Sequence, residues 1–393
     1  MKNFFRKSIC LLILLTWVTH SQAQDFSYKW IADQLQAIKK QLVPDSRVAI
    51  LDFEIKDTLQ KPVVLKGETD LPDAKHQILN FLTEKNIAFI DSIRLLPDPS
   101  LGEKTWALAT LSVSNLRAAP DDASELVSQV MMGTPLKVLD SRKAWFRVQT
   151  PEFYIGWMDA AALQLHSLAE LEKWKLVDRY FYNELTGLAL DAPGKKGKVI
   201  SDLVMGDLFE AEQVGKGFLK IKIPDGRMGY VKKSACISFK EWISKTPDSR
   251  TTLEVAGQMT GFPYLWGGTS TKGIDCSGFV KIVFYEQGIV LARDASQQAR
   301  YGEPVDFGNI SNLQPGDLLF FGKSAQRITH VGIYTGKGDF IHASGKVYIS
   351  SIVPGDPKHD PKRNFVAARR IIGFEGNECI VRVNDHPWYI IKP

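Results

Sequence analysis

Apolar positions recur at helical and strand-like spacings along the chain, and glycine- and proline-containing turns separate the segments. In residues 24–107, the spacing of Ile31, Leu35 and Leu42 predicts one amphipathic helix, and residues 78–82 predict a second. Strand-like runs follow at three places, residues 48–55, 62–66 and 88–95. This pattern predicts a small α+β unit. We interpret it as a scaffold or spacer because it contains no chemical motif.

The next part of the chain contains an internal repeat of short alternating strands. Residues 127–138 align with residues 200–211 at an offset of 73, and Trp145-Phe-Arg-Val aligns with Phe218-Leu-Lys-Ile at the same offset. Short strands separated by Gly and Pro are typical of small β-barrels. We therefore predict two tandem barrels, at residues 108–166 and 176–238, joined by a helical linker at residues 167–175. Their layout resembles bacterial SH3-like domains that accompany cell-wall enzymes.

The last segment, residues 239–393, combines a helix with several strands. Apolar residues at Val280, Val283 and Phe284 fit one helical face that begins at Cys276, and Gly288 is a plausible terminator. Farther on, His330 and His342 lie on two strand-like runs separated by a turn. Because they are twelve residues apart, an even number, a hairpin would point both to the same face.

These three residues suggest nucleophilic catalysis. At a helix N-terminus, backbone N–H groups and the helix dipole favour a thiolate, so we expect a lowered pKa for Cys276. In this interpretation His330 is the base, and His342 orients it through its other ring nitrogen. A helix-borne thiol beside a strand-borne imidazole is also the arrangement of papain.

Charge and cysteine content narrow the classes of function. The formal charge is +5, and it falls to +2 without residues 1–23, with no run of Lys and Arg. This gives no electrostatic reason to expect nucleic acid or an anionic membrane as a partner. The cysteines beyond residue 23 are Cys236, Cys276 and Cys379, an odd number that cannot form a complete disulfide framework. We interpret Cys236 and Cys379 as inert.

The first 23 residues have the pattern of a signal peptide. Lys2, Arg6 and Lys7 precede an apolar run at residues 9–18, and a small-x-small cleavage site ends at Ala23. The apolar run is too short to cross a bilayer, which takes about 20 residues. We expect an exported protein without a membrane anchor, located in the periplasm or secreted.

The last segment resembles the NlpC-type peptidoglycan cysteine peptidases, which have a papain-like α+β fold. Five motifs carry the resemblance, in the family's order: Tyr264-x-Trp-Gly-Gly, Asp275-Cys-Ser-Gly-Phe, Pro315-Gly-Asp-Leu-Leu-Phe-Phe, Thr329-His-Val-Gly-Ile-Tyr and Phe340-Ile-His-Ala-Ser. With the export signal and the SH3-like domains, the chain is most similar to γ-D-glutamyl-L-diamino-acid endopeptidases of the dipeptidyl-peptidase VI type. Those enzymes cleave between D-Glu and the diamino acid of stem peptides with a free N-terminal L-Ala.

The resemblance implies a role for each matching position. Cys276 would be the nucleophile, His330 the base and His342 the orienting residue, while Tyr264 would donate its hydroxyl to the oxyanion. Four further positions would bind substrate: Asp275, Ser277, Ser296 and Trp266. Of these, Trp266 would form part of the cleft wall. A purely structural interpretation of Asp275 is a helix cap.

The resemblance also implies that the first barrel closes one end of the cleft. In that family an acidic residue and a tyrosine recognise the alanine ammonium, and the candidates here are Glu125 and Tyr154. At the repeat offset they align with Lys198 and Arg227, so only the first barrel could complement a cation at these positions.

The overall expectation is a multidomain α+β protein with a small N-terminal α+β unit, two SH3-like barrels and a papain-like catalytic domain. We expect a monomeric hydrolase that acts on peptidoglycan stem peptides and needs no cofactor. A zinc site of one Cys and two His is the rival chemistry, but no further ligand is spaced to support it. The sequence also leaves open an endopeptidase on intact wall, a thiol amidase or acyltransferase, and a wall-binding protein.

Overall fold

The computed structural model describes residues 27–56, 62–194, 196–215, 217–377 and 379–391. The predicted signal peptide, residues 1–23, lies outside these ranges. No helix in the described part of the chain combines the length and apolarity needed to span a bilayer.

The N-terminal unit packs two helices on a three-stranded sheet. Its elements are α1 (Tyr28–Leu42), β1 (Leu51–Lys56), β2 (Val63–Thr69), α2 (Pro72–Glu84) and β3 (Phe89–Leu95). Strand β2 pairs antiparallel with β1 and parallel with β3, because α2 carries the chain back across the sheet. Leu35, Leu65, Ile78 and Leu82 are fully buried between the layers. The predicted helical spacing thus forms the core of this unit.

The first barrel is a seven-stranded antiparallel sheet in the order β10-β4-β7-β8-β9-β5-β6. Its strands are β4 (Trp106–Ala109), β5 (Val113–Arg117), β6 (Leu126–Met131), β7 (Pro135–Arg142), β8 (Trp145–Gln149), β9 (Ile155–Asp159) and β10 (Leu163–His166). A separate apolar core fills it, with Leu116, Leu136, Val138 and Val148 fully buried.

The second barrel repeats this arrangement after a connecting helix, α3 (Leu168–Leu176). Its strands are β11 (Arg179–Tyr182), β12 (Thr186–Leu190), β13 (Val199–Val204), β14 (Leu208–Val214), β15 (Phe218–Lys222), β16 (Met228–Lys232) and β17 (Cys236–Ser238). Each strand begins 73 residues after its counterpart in the first barrel. The repeat in the sequence is therefore a repeat in structure.

The C-terminal domain places helices against a six-stranded sheet in the order β21-β26-β22-β23-β24-β25. Its helices are α4 (Phe239–Ser244), α5 (Ser249–Gln258), α6 (Cys276–Glu286) and α7 (Ala295–Gln298). Its strands are β18 (Thr269–Ser270), β19 (Gly273–Ile274), β20 (Ile289–Leu291), β21 (Glu303–Pro304), β22 (Leu318–Ser324), β23 (Arg327–Gly336), β24 (Asp339–Ser344), β25 (Lys346–Ser351), β26 (Phe365–Arg370) and β27 (Ile380–Arg382).

Helix α6 is the centre of this domain, and ten of its eleven residues are buried. Phe279, Val280 and Val283 join the apolar core that also contains Val331 and Ile333 of strand β23. This packing fixes the start of α6 beside the strand that carries His330. The fold confirms the predicted class, a multidomain α+β protein that ends in a mixed α+β domain.

Polar contacts join the first barrel to the N-terminal unit and to the C-terminal domain. Toward the C-terminal domain, Gln129 accepts hydrogen bonds from the Thr269 backbone (3.1 Å) and the Ser270 hydroxyl (2.9 Å). Toward the N-terminal unit, Arg94 pairs with Asp140 of the barrel at 2.9 Å. The first barrel is thus held between the N-terminal and C-terminal domains.

Candidate active site

Cys276 is the first residue of α6, as its sequence position predicts. The preceding residue, Asp275, caps the helix by accepting a hydrogen bond from the Gly278 backbone N–H at 2.7 Å. The helix ends just before Gly288, which has a φ of +75° and so has the left-handed conformation common after helices. Cap and terminator together fix where the thiol lies.

The expected lowering of the Cys276 pKa is wrong. The residue is only 8% exposed, and burial, followed by the nearby Asp275 carboxylate, raises the pKa of the thiol to about 11. The Val331 N–H, the Arg293 charge and the Ser277 N–H act in the opposite direction but are smaller effects. Desolvation therefore outweighs the helix N-terminus, and the free protein holds a neutral thiol.

The two histidines are joined as the hairpin parity predicts. Tyr334 of β23 pairs with Phe340 of β24, which makes His330 and His342 diagonal neighbours, and their Nε2 and Nδ1 atoms are 2.8 Å apart. Gly332 lies opposite His342, where a Cβ atom would come within 3.1 Å of the His342 Cβ. The glycine thus leaves room for the second ring.

Ser350 extends this pair into a chain of three polar groups. Its hydroxyl lies 2.9 Å from His342 Nε2. Burial, with the positive charge of Arg363 as the next cause, lowers the pKa of His330 to about 2 and that of His342 to about 3. Both rings are therefore neutral at pH 7. With neutral rings, donation along His330–His342–Ser350 leaves Nδ1 of His330 as a free acceptor.

The thiol borders a cleft of about 400 Å³. Eight of the ten candidate residues line it, and the buried His330 and His342 do not. The eight are Glu125, Tyr154, Tyr264, Trp266, Asp275, Cys276, Ser277 and Ser296. Burial is the largest cause that raises the pKa of Tyr264 to about 12, and the nearby Asp275 carboxylate adds to it. The Tyr264 hydroxyl therefore stays protonated at neutral pH and can donate a hydrogen bond.

Asp275 and Ser277 are held by a buried arginine that is absent from the predicted site. Arg293, only 1% exposed, contacts both Asp275 oxygens, at 2.5 and 3.2 Å, and the Ser277 hydroxyl at 3.0 Å. Asp275 also accepts from the Gly267 backbone at 3.0 Å. Donors of the protein thus occupy most of the Asp275 carboxylate, which agrees with its structural interpretation as a helix cap. Asp275 nevertheless borders the cleft.

The first barrel forms one wall of the cleft. The indole N–H of Trp266, a residue 64% exposed, donates to Glu125 at 2.7 Å. A Cβ atom at Gly267 would lie 2.1 Å from the Leu126 carbonyl oxygen. Backbone meets backbone at this point, so no side chain fits between the two domains.

Near Tyr154, the cleft is also lined by Asp294, Ser296 and Arg47. Burial, with Asp294 as the next cause, raises the pKa of Tyr154, whose hydroxyl faces that carboxylate. Asp294 begins the short helix that carries Ser296. Arg47 of the N-terminal unit also lines the cleft and contacts both, so this unit, interpreted from the sequence as a scaffold or spacer, contributes a side chain to the cleft.

Four residues at the site were not predicted from the sequence, and they differ in whether a sequence pattern could have indicated them. Arg293 and Asp294 lie within three residues of Ser296, so that motif could have included them. Ser350 is eight residues from His342, an even spacing typical of one face of a hairpin. Arg47 left no signal, because its neighbours in the cleft lie more than 200 positions along the chain.

The histidine geometry also bears on the rival zinc site. His330 Nε2 and His342 Nδ1 face each other, and Nε2 of His342 is taken by Ser350. Within the described ranges, no three His, Cys, Asp or Glu side chains are grouped so that they could hold a metal ion.

Two family comparisons match this architecture. Residues 261–360, which include the thiol and both histidines, match the NlpC/P60 family. The C-terminal domain is an NlpC/P60 domain. Residues 116–163, in the first barrel, match the bacterial dipeptidyl-peptidase SH3 domain. Family models thus match both the NlpC/P60 domain and the first barrel, which lines the cleft of that domain.

Curated relatives extend the similarity across the barrels. A γ-D-glutamyl-L-lysine dipeptidyl-peptidase of Bacillus cereus is 27% identical over 280 residues, which is 67% of this chain and 81% of the relative. Dipeptidyl-peptidase 6 of Lysinibacillus sphaericus is 27% identical over 275 residues, 66% of this chain and 96% of the relative. These matches and the NlpC/P60 domain assign the protein to the peptidases.

A solved structure shares the fold. An NlpC/P60 family protein of Bacillus cereus superimposes with a TM-score of 0.59 at 23% identity and covers 68% of this chain and 99% of its own. The fold of about two thirds of this chain thus recurs in a solved structure.

Proposed function

We propose that this protein is a cysteine peptidase that hydrolyses the amide bond between γ-D-Glu and the diamino acid of peptidoglycan stem peptides. The substrate has a free N-terminal L-Ala, and the product is the dipeptide L-Ala-D-Glu. One observation carries the proposal: the Cys276 thiol borders a cleft whose end is walled by Glu125 and Tyr154 of the first barrel. The names of the dipeptidyl-peptidase relatives support the same reaction.

The charges around the cleft suit a substrate with a cationic end. Glu125 accepts a hydrogen bond from the neutral Trp266 N–H, and no Lys, Arg or His nitrogen in the described chain lies within 4 Å of its carboxylate. A carboxylate without a cationic partner can accept an ammonium group, as in other charge-assisted hydrogen bonds.

The first chemical step is acylation of the thiol. As Cys276 Sγ attacks the γ-carbonyl carbon, its proton moves to Nδ1 of His330, and the carbonyl oxygen becomes an oxyanion. The Tyr264 hydroxyl and the Cys276 backbone N–H donate to that oxygen; one such donor is typically worth about 3 kcal/mol. Since thiol and imidazole are both neutral beforehand, the charges form only in the presence of substrate.

The second half of the reaction releases both products. The His330 imidazolium gives its proton to the departing amine of the diamino acid, and the acyl-enzyme remains. Neutral His330 then takes a proton from water, which attacks the acyl carbon; the C–S bond breaks, L-Ala-D-Glu is freed, and the Cys276 thiolate recovers its proton from His330. His342 and Ser350 keep the His330 ring oriented in both steps.

We also propose that residues 1–23 direct export and that the mature protein acts outside the cytoplasm as a monomer. The motivation is the basic and apolar pattern of those residues and the accessibility of stem peptides there. N-terminal sequencing of the exported protein should find a start near Gln24; an uncleaved N-terminus would contradict this.

The test of the reaction is product analysis with three substrates. The purified protein is incubated with L-Ala-γ-D-Glu-diamino acid, with its N-acetylated form and with intact sacculi, using both lysine and diaminopimelate as the diamino acid. Mass spectrometry should find rapid release of L-Ala-D-Glu from the free-amine peptide, at most slow release of N-acetyl-L-Ala-D-Glu from the acetylated peptide, and no release from sacculi, and Cys276→Ala should abolish cleavage. Cleavage of sacculi would instead identify a wall endopeptidase, and no cleavage would overturn the peptidase assignment.

A further inference from the structure

We propose that the N-terminal unit completes the substrate cleft through Arg47, a positioning residue that holds Asp294 and Ser296 at the end where the substrate's free amine binds. This inference rests on the proposed function. It assigns a role in substrate selection to the N-terminal unit, which lies outside the two segments that match family models.

Arg47 is fixed in place by its own backbone. It lies between α1 and β1, and its carbonyl accepts a hydrogen bond from the Ile155 N–H of the first barrel at 2.8 Å. The next carbonyl, of Val48, accepts from the Gln149 side chain at 2.9 Å. The backbone that carries the Arg47 side chain is therefore attached to the barrel at two successive residues.

The guanidinium group of Arg47 bridges two carboxylates. Asp45 binds it through two atoms, at 2.8 Å to Nε and 2.7 Å to Nη2. Its Nη1 atom reaches Asp294 at 2.7 Å and the Ser296 hydroxyl at 3.3 Å. Burial alone would lower the pKa of Arg47, but the two carboxylates raise it, so the bridge is charged at any physiological pH.

Asp45 adds a second attachment to the same helix. Its carboxylate accepts a hydrogen bond from Gln297 at 3.0 Å. Together, Asp45 and Arg47 contact three positions of the α7 region, Asp294, Ser296 and Gln297. A helix of four residues has little stability by itself, so these contacts from another domain fix its orientation in the cleft.

The bridge also sets the balance of charge at this end of the cleft. Arg47 neutralises Asp294, whereas Glu125 keeps an uncompensated charge. Without Arg47, Asp294 would keep only the more distant Arg293, at 3.8 Å, as a cationic partner, and its less compensated carboxylate would compete with Glu125 for the substrate's ammonium group. The substrate's free-amine end would then be held less tightly, while the groups that carry out acylation would stay in place.

The N-terminal unit is docked firmly enough to act in this way. Ile50 and Leu96 of the unit form a buried apolar cluster with Leu139 of the barrel. Beside it, Arg94 links Glu68 at 2.6 Å and Asp140 at 2.9 Å. Arg94 is therefore the control: its side chain joins the N-terminal unit to the first barrel but does not line the cleft.

The experiment compares Arg47→Ala, Arg47→Lys and Arg94→Ala in the full-length protein, using L-Ala-γ-D-Glu-diamino acid. Arg47→Ala should raise KM about tenfold and change kcat less than threefold, because the acylation groups are untouched. Arg47→Lys should recover part of the loss, since it keeps the charge but not the fork. Arg94→Ala should lower the melting temperature and leave KM unchanged.

A second substrate distinguishes loss of positioning at the free-amine end from a general loss of structure in the cleft. The dipeptide γ-D-Glu-diamino acid lacks the alanine, so its cleavage should be equally slow in wild type and Arg47→Ala. Equal KM values for wild type and Arg47→Ala on the tripeptide would overturn the inference, as would equal losses on both peptides. If the wild type itself fails to cleave the tripeptide, it is the proposed function that fails.

Discussion

Two features of Cys276 act on its thiol in opposite directions. The start of α6 favours the thiolate, whereas burial and the Asp275 carboxylate favour the thiol, and burial is the largest effect. The same desolvation keeps His330 neutral. The resting pair is therefore thiol and imidazole rather than thiolate and imidazolium, and its reactivity depends on pH accordingly.

Alkylation of Cys276 by iodoacetamide should become faster as the pH rises. Because the pKa of the thiol is raised to about 11, the thiolate fraction grows about tenfold for each pH unit from 7 to 10. The rate is followed by mass spectrometry of the peptide that contains Cys276, with Cys236, whose pKa burial raises to about 12, as an internal control. A fast, pH-independent rate near pH 5 would reveal an ion pair instead.

Ser350 is the residue whose loss should reveal the role of the histidine chain. Ser350→Ala removes the partner of His342 Nε2, so the ring orientation that leaves His330 Nδ1 free is no longer fixed. We expect kcat to fall about tenfold with KM unchanged, a typical loss for an orienting partner. Ser351→Ala, at a buried serine bonded to the Gly338 carbonyl, is the control. An unchanged kcat in Ser350→Ala would remove Ser350 from the mechanism.

At the scale of elements, the loop between α5 and α6 is shaped by its contact with the first barrel. Gly267 has a φ of +79° and lies against the Leu126 carbonyl, while Gly261 has a φ of +87° and open space around it. Both positions favour glycine for their backbone conformation. Only Gly267 also requires the absence of a side chain.

Gly267→Ala should therefore cost more stability than Gly261→Ala. Each substitution places a Cβ in the left-handed region, at about 1–2 kcal/mol. Gly267→Ala adds a clash with the barrel backbone, which should cost roughly a further 1–3 kcal/mol, typical of overpacking, and should raise KM. Urea denaturation measures both changes in stability. Equal losses for the two variants would show that the barrel is not pressed against the loop.

The local sequence pattern predicted the helices and strands better than it predicted the contacts between domains. The beginning of α6 at Cys276 and the shared face of His330 and His342 follow from spacing within one segment. Neither the role of Arg47 nor the Trp266–Glu125 bond has such a signal, because both depend on how separately folded units dock. The raised pKa of Cys276 escaped for the same reason: burial is a property of the assembled domain.

At the scale of the whole molecule, three domains contribute walls to one cleft. The NlpC/P60 domain supplies the thiol, the first barrel supplies Glu125 and Tyr154, and the N-terminal unit supplies Arg47. The second barrel has basic residues, Lys198 and Arg227, at the positions of Glu125 and Tyr154, and none of its described residues lines the cleft. The duplicated barrels thus differ in their relation to the cleft.

Glu125→Gln should weaken binding of the substrate's free-amine end without affecting the chemistry. Glutamine still accepts the Trp266 N–H but cannot pair with an ammonium charge, so KM for the free-amine peptide should rise about tenfold, while slow cleavage of the acetylated peptide stays the same. Asp122→Asn removes an exposed charge from the same turn as a control. If both peptides respond alike, the barrel does not recognise the amine.

The order of these parts along the chain has a consequence for biosynthesis. Arg47 and the barrel residues precede Cys276, and the histidines come last, so during synthesis or export the selective walls are made before the hydrolytic centre is complete. A shortened or unfinished chain that ends before His330 contains no complete set of reacting groups. In the proposed reaction, hydrolysis is thereby confined to molecules that already carry the residues proposed to select the substrate.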